Sequence, residues 1–159
     1  MEEQFTHVTK EGLDKLKEEL EYLKTTERRN VTEAIAEAKS YGDLSENSEY
    51  DAAKTREAEV EYRIIELENL IKTAVIIDEK TLDLSKVNIG CYVDVYDEMF
   101  DETCTYKIVG ATESDPFKGL ISNESPVGKA LLNKKVGDKA EVLMPNGKKN
   151  YMEIKKIYV

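Results

Sequence analysis

Leucines fall at 13, 16, 20 and 23, spaced by threes and fours, with charged residues between them. A row at that spacing predicts an amphipathic helix. Val31, Ile35 and Ala38 continue the row, but with a shift in phase. Thr9 can cap the start, and Glu11 falls in the first turn. The pattern predicts one helix to about Tyr41, roughly 50 Å long at 1.5 Å per residue. A second row, from Tyr50 through Ala53, Glu57, Val60, Ile64, Leu67 and Ile71 to Ala74, keeps a seven-residue repeat, with Glu57 its one polar member. Gly42 lies between the rows and can end a helix in the left-handed conformation. Two helices joined by so short a turn run antiparallel, and narrow apolar stripes bury against each other. The expectation is a coiled-coil hairpin with residues 42–48 at its tip.

The second half changes period. Residues 91–97 (CYVDVYD) and 103–110 (TCTYKIVG) alternate as strands, with EMFDE between them as a hairpin connection. Residues 125–133 read as a short helix, with Ser125 as cap and Pro126 at the first helical position. Asn146-Gly147, flanked by AEVLMP and KNYMEIKKIYV, signals a tight hairpin turn. The linker falls near residues 73–87. The fold class is therefore α+β. An antiparallel α-helical coiled-coil hairpin (residues 1–78) precedes a small antiparallel β-sheet domain with one short helix (residues 79–159).

Composition narrows the function. Charged residues are 35% of the chain and hydrophobic ones 40%, which suits a thin core or an extended part. No run of 18 apolar residues is present, so no helix is expected to span a membrane. The start, MEEQFTHVTK, lacks the regions of a signal peptide, so a cytoplasmic location is expected. Cys91 and Cys104 have no metal-ligand spacing and read as ordinary strand residues, with a disulfide the minor alternative. The net charge of −10 argues against simple binding to a nucleic-acid backbone. It is unevenly spread: residues 1–78 hold 20 acids and 11 bases, and residues 79–159 hold 13 acids and 12 bases. Residues 129–159 carry eight lysines against three acids, which reads equally as a solvated sheet edge or as a docking surface. Val136 and Ile154 within it are open between interface and core.

The tip carries the candidate chemistry. Asp43, Glu46, Glu49 and Asp51 all precede the first base, Lys54. Asp43-x-x-Glu46 fits a helix-capping pattern, and acids suit the positive end of a helix dipole. Catalysis by the chain alone is not expected. Its one histidine, His7, lies before the first helix, and no phosphate loop or Ser-His-Asp set can be assembled. Mg²⁺, however, is commonly held by one or two carboxylates together with substrate phosphates. Two acids on a narrow probe could complete a metal site half built by another macromolecule.

At these residues the chain resembles a known family. GDLSENSEYDAAK (residues 42–54) is similar to the tip motif of the bacterial transcript-cleavage factors, the Gre family. TKEGLDKLKEELEYLK, RIIELE and AVIID resemble the family's two helices. Residues 106–138 and the closing P-x-G-x₃-Y-x-x-I pattern resemble its C-terminal domain. The resemblance implies a transcription elongation factor whose hairpin enters the secondary channel of bacterial RNA polymerase. It implies an FKBP-like C-terminal domain that docks at the channel rim. The tip would assist the polymerase's own hydrolysis of the 3′ end of a backtracked RNA, so the chain itself is not expected to be an enzyme. Asp43 and Glu46 fall on the family's metal-associated acids, acting on an Mg²⁺ shared with the polymerase, directly or through the attacking water. Gly42, Asn47, Glu49 and Tyr50 fill the neighbouring positions. Lys39 and Lys54 fall on a basic patch that meets RNA, at positions where some members carry arginine. Ala58 stands where many members carry a polar residue. Two rivals share parts of this architecture: an inhibitor of the same channel, and a prolyl isomerase suggested by SPVGKALLNKKVGD. The Gly42 break and matched run lengths predict internal helix pairing, and so a monomer instead of a dimeric coiled coil.

Overall fold

The computed structural model describes residues 4–42 and 47–159. Its contacts divide the chain into two units, one holding Leu13–Thr73 and the other Met1–Gly12 with Ala74–Val159. The reading from sequence began the second unit at residue 79. Residues up to Gly12 and 74–78 instead group with the sheet, because β1 (Thr6–Val8) pairs in parallel with β2 (Ala74–Ile76).

The helical unit is a hairpin. Its first arm runs through α1 (Lys10–Tyr22, whose first turn groups with the sheet unit), a π-helical turn (Leu23–Glu27) and α2 (Arg28–Ser40). Its second arm is α3 (Ser48–Lys72). The π turn is the physical form of the phase shift. A π-helical turn accommodates one residue more than an α-helical one. Leu16 and Leu23 are buried at a spacing of seven, and the next buried positions are Val31 and Ile35. The extra residue turns Val31 back onto the face it would otherwise leave. From α3, Ala53, Val60, Ile64 and Leu67 are buried, while Tyr50, Glu57 and Ile71 of the expected stripe are half-buried.

Ion pairs flank this stripe. Arg63 binds Glu19 through two hydrogen bonds of 2.8 and 3.0 Å, and Arg28 binds Glu61 through two of 2.7 and 2.8 Å. Arg56 reaches Glu27 at 2.6 Å, and Lys24 reaches Glu68 at 2.5 Å. Each joins the first arm to the second. The arginines hold the carboxyls of Glu27 and Glu61 below the usual range for glutamate.

The other unit is built on a five-stranded sheet. β3 (Tyr92–Asp97) and β4 (Glu102–Val109) form a hairpin, as do β6 (Lys139–Leu143) and β7 (Lys149–Tyr158). β5 (Leu120–Ser122) adds to β4 in parallel, giving the order β5-β4-β3-β7-β6. The sheet is thus antiparallel except at this edge. Ser125 caps α4 (Pro126–Leu131), accepting the Gly128 N–H at 3.1 Å. The Asn146-Gly147 turn closes with the Gly147 N–H on the Met144 carbonyl at 3.0 Å.

One face of the sheet buries Val93, Val95, Ile108, Val142 and Ile154 against Val87, Cys91 and Leu131. Ile154 is therefore core, whereas Val136 is exposed. A bulge on β7 shifts the pairing between Asp94–Lys156 and Val95–Ile154. The added residue lets Ile154 and Ile157, three apart, both face the core. Both cysteines are free, with Cys91 buried just before β3 and Cys104 half-buried in β4.

The start of α1 is held from far along the chain. Thr9 Oγ1 accepts the Gly12 N–H at 3.0 Å, as the cap reading expects. The Glu113 carboxylate then accepts both the Thr9 hydroxyl, at 2.6 Å, and the Thr9 N–H, at 3.0 Å. Gly110 lets β1 approach, because a Cβ there would stand 1.7 Å from the His7 carbonyl oxygen.

Candidate functional site

The chain turns back between α2 and α3, and one side chain ties the two helix ends. Asn47 is the N-cap of α3, and its Oδ1 accepts the N–H groups of Glu49 and Tyr50, each at 3.1 Å. Those donors would otherwise lack partners at the helix start. Its Nδ2 meanwhile donates to the Ala38 carbonyl at 2.7 Å, near the end of α2. Ala38 itself is buried between the arms, and its carbonyl also accepts the Tyr41 N–H at 3.2 Å. Gly42 follows with φ +101°, a conformation L side chains rarely adopt, so the chain can leave the helix sharply there.

Asp43 and Glu46 lie outside the described residues, together with Leu44 and Ser45. Of the other tip positions, Gly42 and Asn47 flank this stretch. Glu49 is exposed in the first turn of α3, where Asp51 joins it, and Tyr50 is half-buried. Among the described residues no group of three or more His, Cys, Asp or Glu could hold a metal ion.

Lys39 and Lys54 come together although they are fifteen positions apart. Both line one groove of about 280 Å³ beside the turn, together with Ile35, Ala36 and Tyr50. Lys54 Nζ pairs with Glu57 Oε1 at 2.7 Å, which keeps the ammonium protonated above its ordinary value. This accounts for the polar member of the second stripe: Glu57 borders the groove and positions its lysine. Sequence reasoning placed Asn47 at the tip but missed its second bond, because the acceptor is a backbone carbonyl with no side-chain signature.

The sheet unit has a cleft of about 460 Å³ whose lining includes Lys10, Glu11, Asp78, Glu79, Lys80 and Glu113 and contains no aromatic residue. A proline-binding pocket needs an apolar, aromatic-rich wall. None of the described helices is long and apolar enough to cross a membrane.

The described residues thus form a helical hairpin with a clamped turn and, further along the chain, a small curled sheet unit. Comparison with known proteins specifies the class. Residues 6–76 match the family model for the transcription elongation factor N-terminal domain, and residues 82–158 match that for the GreA/GreB C-terminal domain. The transcription elongation factor GreA of Thermoanaerobacter pseudethanolicus is 54% identical over 151 residues, covering 94% of this chain and 96% of its own. The GreA of Clostridioides difficile is 56% identical over 140 residues, covering 88% of each. The crystal structure of the GreA factor homolog 1 (Gfh1) protein of Thermus thermophilus aligns with 98% of this chain and all of its own, at 28% identity and a TM-score of 0.45. The chain belongs to the GreA/GreB family of transcription elongation factors.

Proposed function

We propose that this factor acts on bacterial RNA polymerase, entering the secondary channel with its hairpin tip and stimulating cleavage of the 3′ end of backtracked RNA. The Asn47 clamp is the observation that carries this reading. It ties the end of α2 to the start of α3 at the point where the motif places two acids. Asp43 and Glu46 supply the hard oxygen donors that Mg²⁺ prefers. Paired metal ions in such a centre stabilise the attacking and leaving oxygens of an in-line displacement. The chain's own part is placement: an error of an ångström at a reacting group costs large factors in rate. The cross-arm ion pairs and buried stripe stiffen the rod against such errors. Lys39 and Lys54, on one groove, offer cations to the phosphates of the displaced RNA. Rescue of arrested complexes follows, with the polymerase as the enzyme and this chain as its monomeric, cytoplasmic cofactor.

The curated relatives carry the name of an elongation factor, which favours activation over channel inhibition. The absence of aromatic residues from the lining of the sheet unit's cleft disfavours an isomerase. The double variant Asp43→Ala/Glu46→Ala tests the reading in purified backtracked complexes. Wild-type protein should yield shortened RNA, and the variant should bind polymerase equally and yield none. Cleavage by the variant at the wild-type rate would overturn the assignment, and lost elongation without cleavage by the wild type would point to an inhibitor.

A further inference from the structure

The first turn of α1 has half of a common cap and borrows the other half. In a capping box the cap hydroxyl accepts the N–H three residues on, and a Glu or Gln side chain at that third position accepts the cap's own N–H. Here Thr9 Oγ1 accepts the Gly12 N–H at 3.0 Å, but Gly12 has no side chain to return the bond. Glu113 accepts the Thr9 N–H instead, at 3.0 Å, and the same carboxylate accepts the Thr9 hydroxyl at 2.6 Å. Gly12 leaves room for it. A Cβ at residue 12 would stand 2.5 Å from Glu113 Oε1, and the carboxylate, as the end of a flexible side chain, would be the group to move.

Helix stability does not account for this arrangement. A glutamate at position 12 would complete the box from within the first turn, and glycine weakens a helix relative to any residue but proline. The chain forgoes both advantages for a bond from 104 positions away. What the distant carboxylate adds is a tie. Glu113 ends a short helical turn (Ala111–Glu113) soon after β4, and Thr9, Gly12 and Glu113 all group with the sheet unit. From the tie, α1 runs unbroken to Tyr22 in the rod. Only Thr9 separates β1 from α1. With the tie cut, the first turn frays and that single residue becomes a slack tether of several. Between Gly12 and Gly42 the first arm is roughly 45 Å long at 1.5 Å per residue, so an angular error of about 2° at its root moves its end by about 1.5 Å.

We infer that Glu113 is a positioning residue for cleavage: by tying Thr9 it holds the root of the first arm, and so narrows the scatter of the acids carried at the tip. This rests on the function proposed above. It requires no contact between Glu113 and polymerase or RNA. An error of an ångström at a reacting group costs large factors in rate, and Glu113 acts by keeping that error small.

Full-length variants in the backtracked-complex assay test it, with the maximal cleavage rate read separately from the factor concentration that gives half of it. Glu113→Ala should lower the maximal rate roughly tenfold, the scale of a misplacement below an ångström, and leave the half-maximal concentration nearly unchanged. Gly12→Glu with Glu113→Ala completes the box locally while the tie stays cut. It should regain amide protection across the first turn of α1 and remain as slow as Glu113→Ala. Gly12→Ala, in which Glu113 is present but displaced, should also be slow although alanine favours the helix, and it keeps the test open where Glu113→Ala unfolds the sheet unit. Glu113→Gln keeps an acceptor for Thr9 and should recover most of the rate. Hydrogen exchange in β3 and β7 should match wild type, which separates a lost tie from a lost fold. A wild-type maximal rate in Gly12→Glu/Glu113→Ala would make Glu113 a helix cap only and overturn the inference. An effect of Glu113→Ala confined to the half-maximal concentration would overturn it too. Either result leaves the proposed function standing, whereas wild-type protein that yields no shortened RNA overturns both.

Discussion

The sheet unit and the helical rod are held together by different means. In the sheet unit, five strands and α4 surround one continuous cluster, and Val93, Val95, Ile108, Leu131 and Ile154 are fully buried. In the rod each helix has only the other to bury against, so burial is confined to one narrow row, and charged pairs line its edges. One chain can thus hold a packed sheet unit and a slender two-helix unit, provided each part uses the stabilisation its geometry permits. Core burial is insensitive to salt and moderate acid, while bordering ion pairs respond to both.

This contrast can be broken most forcefully by truncating buried side chains in each part. Ile154→Ala should cost the sheet unit about 3–5 kcal/mol, near the upper end for a large-to-small core change. Ile35→Ala, at the edge of the rod's stripe, should cost about 2 kcal/mol, because a two-helix seam relaxes more readily around the gap. Hydrogen exchange resolved by residue reads both. Equal losses in the two units would erase the distinction.

A smaller effect is expected at the turn. Asn47→Ala removes a cap and the bond to the Ala38 carbonyl, together worth about 1–2 kcal/mol. Amide protection should fall at Glu49, Tyr50 and Tyr41 and remain unchanged in β3 and β7. Asn47→Asp should restore the cap but not the donor, and so recover only part of that protection.

The smallest effect concerns acid. Glu27 and Glu61 have lowered pKa values, chiefly because Arg56 and Arg28 donate hydrogen bonds to them. A depressed carboxylate stabilises the fold at pH above its ordinary value, near 4.5, and loses that contribution as pH falls through the lowered one. The rod should therefore lose helical signal in acid before the sheet loses protection. Arg28→Gln with Arg56→Gln should flatten that dependence, and an unaltered acid profile would remove these pairs from the account.

What could be read from the sequence followed from local periodicity. Both helical rows, the β3–β4 and β6–β7 hairpins and the Ser125 cap follow from neighbours within a few positions. The break in phase between Leu23 and Val31 was visible, but its form was not, because an inserted residue can equally kink, loop or widen a helix. β1, β2 and β5 each span three residues, too short for a period, and β1 finds its partner 68 positions away. The β7 bulge was hidden because Lys155 and Lys156 look like ordinary surface residues. At the tip, the acids and lysines stood out by charge. That Lys39 and Lys54 border a single groove depended on the register between arms, which no local pattern contains.

The Thr9–Glu113 clasp joins positions 104 apart in the chain. On a ribosome, the local cap from Thr9 to Gly12 can form early, but the carboxylate that holds Thr9 is absent until residue 113 has been made. Thr9 and Gly12 are among the earliest residues to emerge, yet the root of α1 is secured only when the β4–β5 region folds back onto it. Fragments ending before Glu113 would keep the Thr9 cap but lose the carboxylate that fixes Thr9, so the first turn of α1 should fray more readily. The first turn of α1 is thus finished by residues of the sheet unit with which it groups.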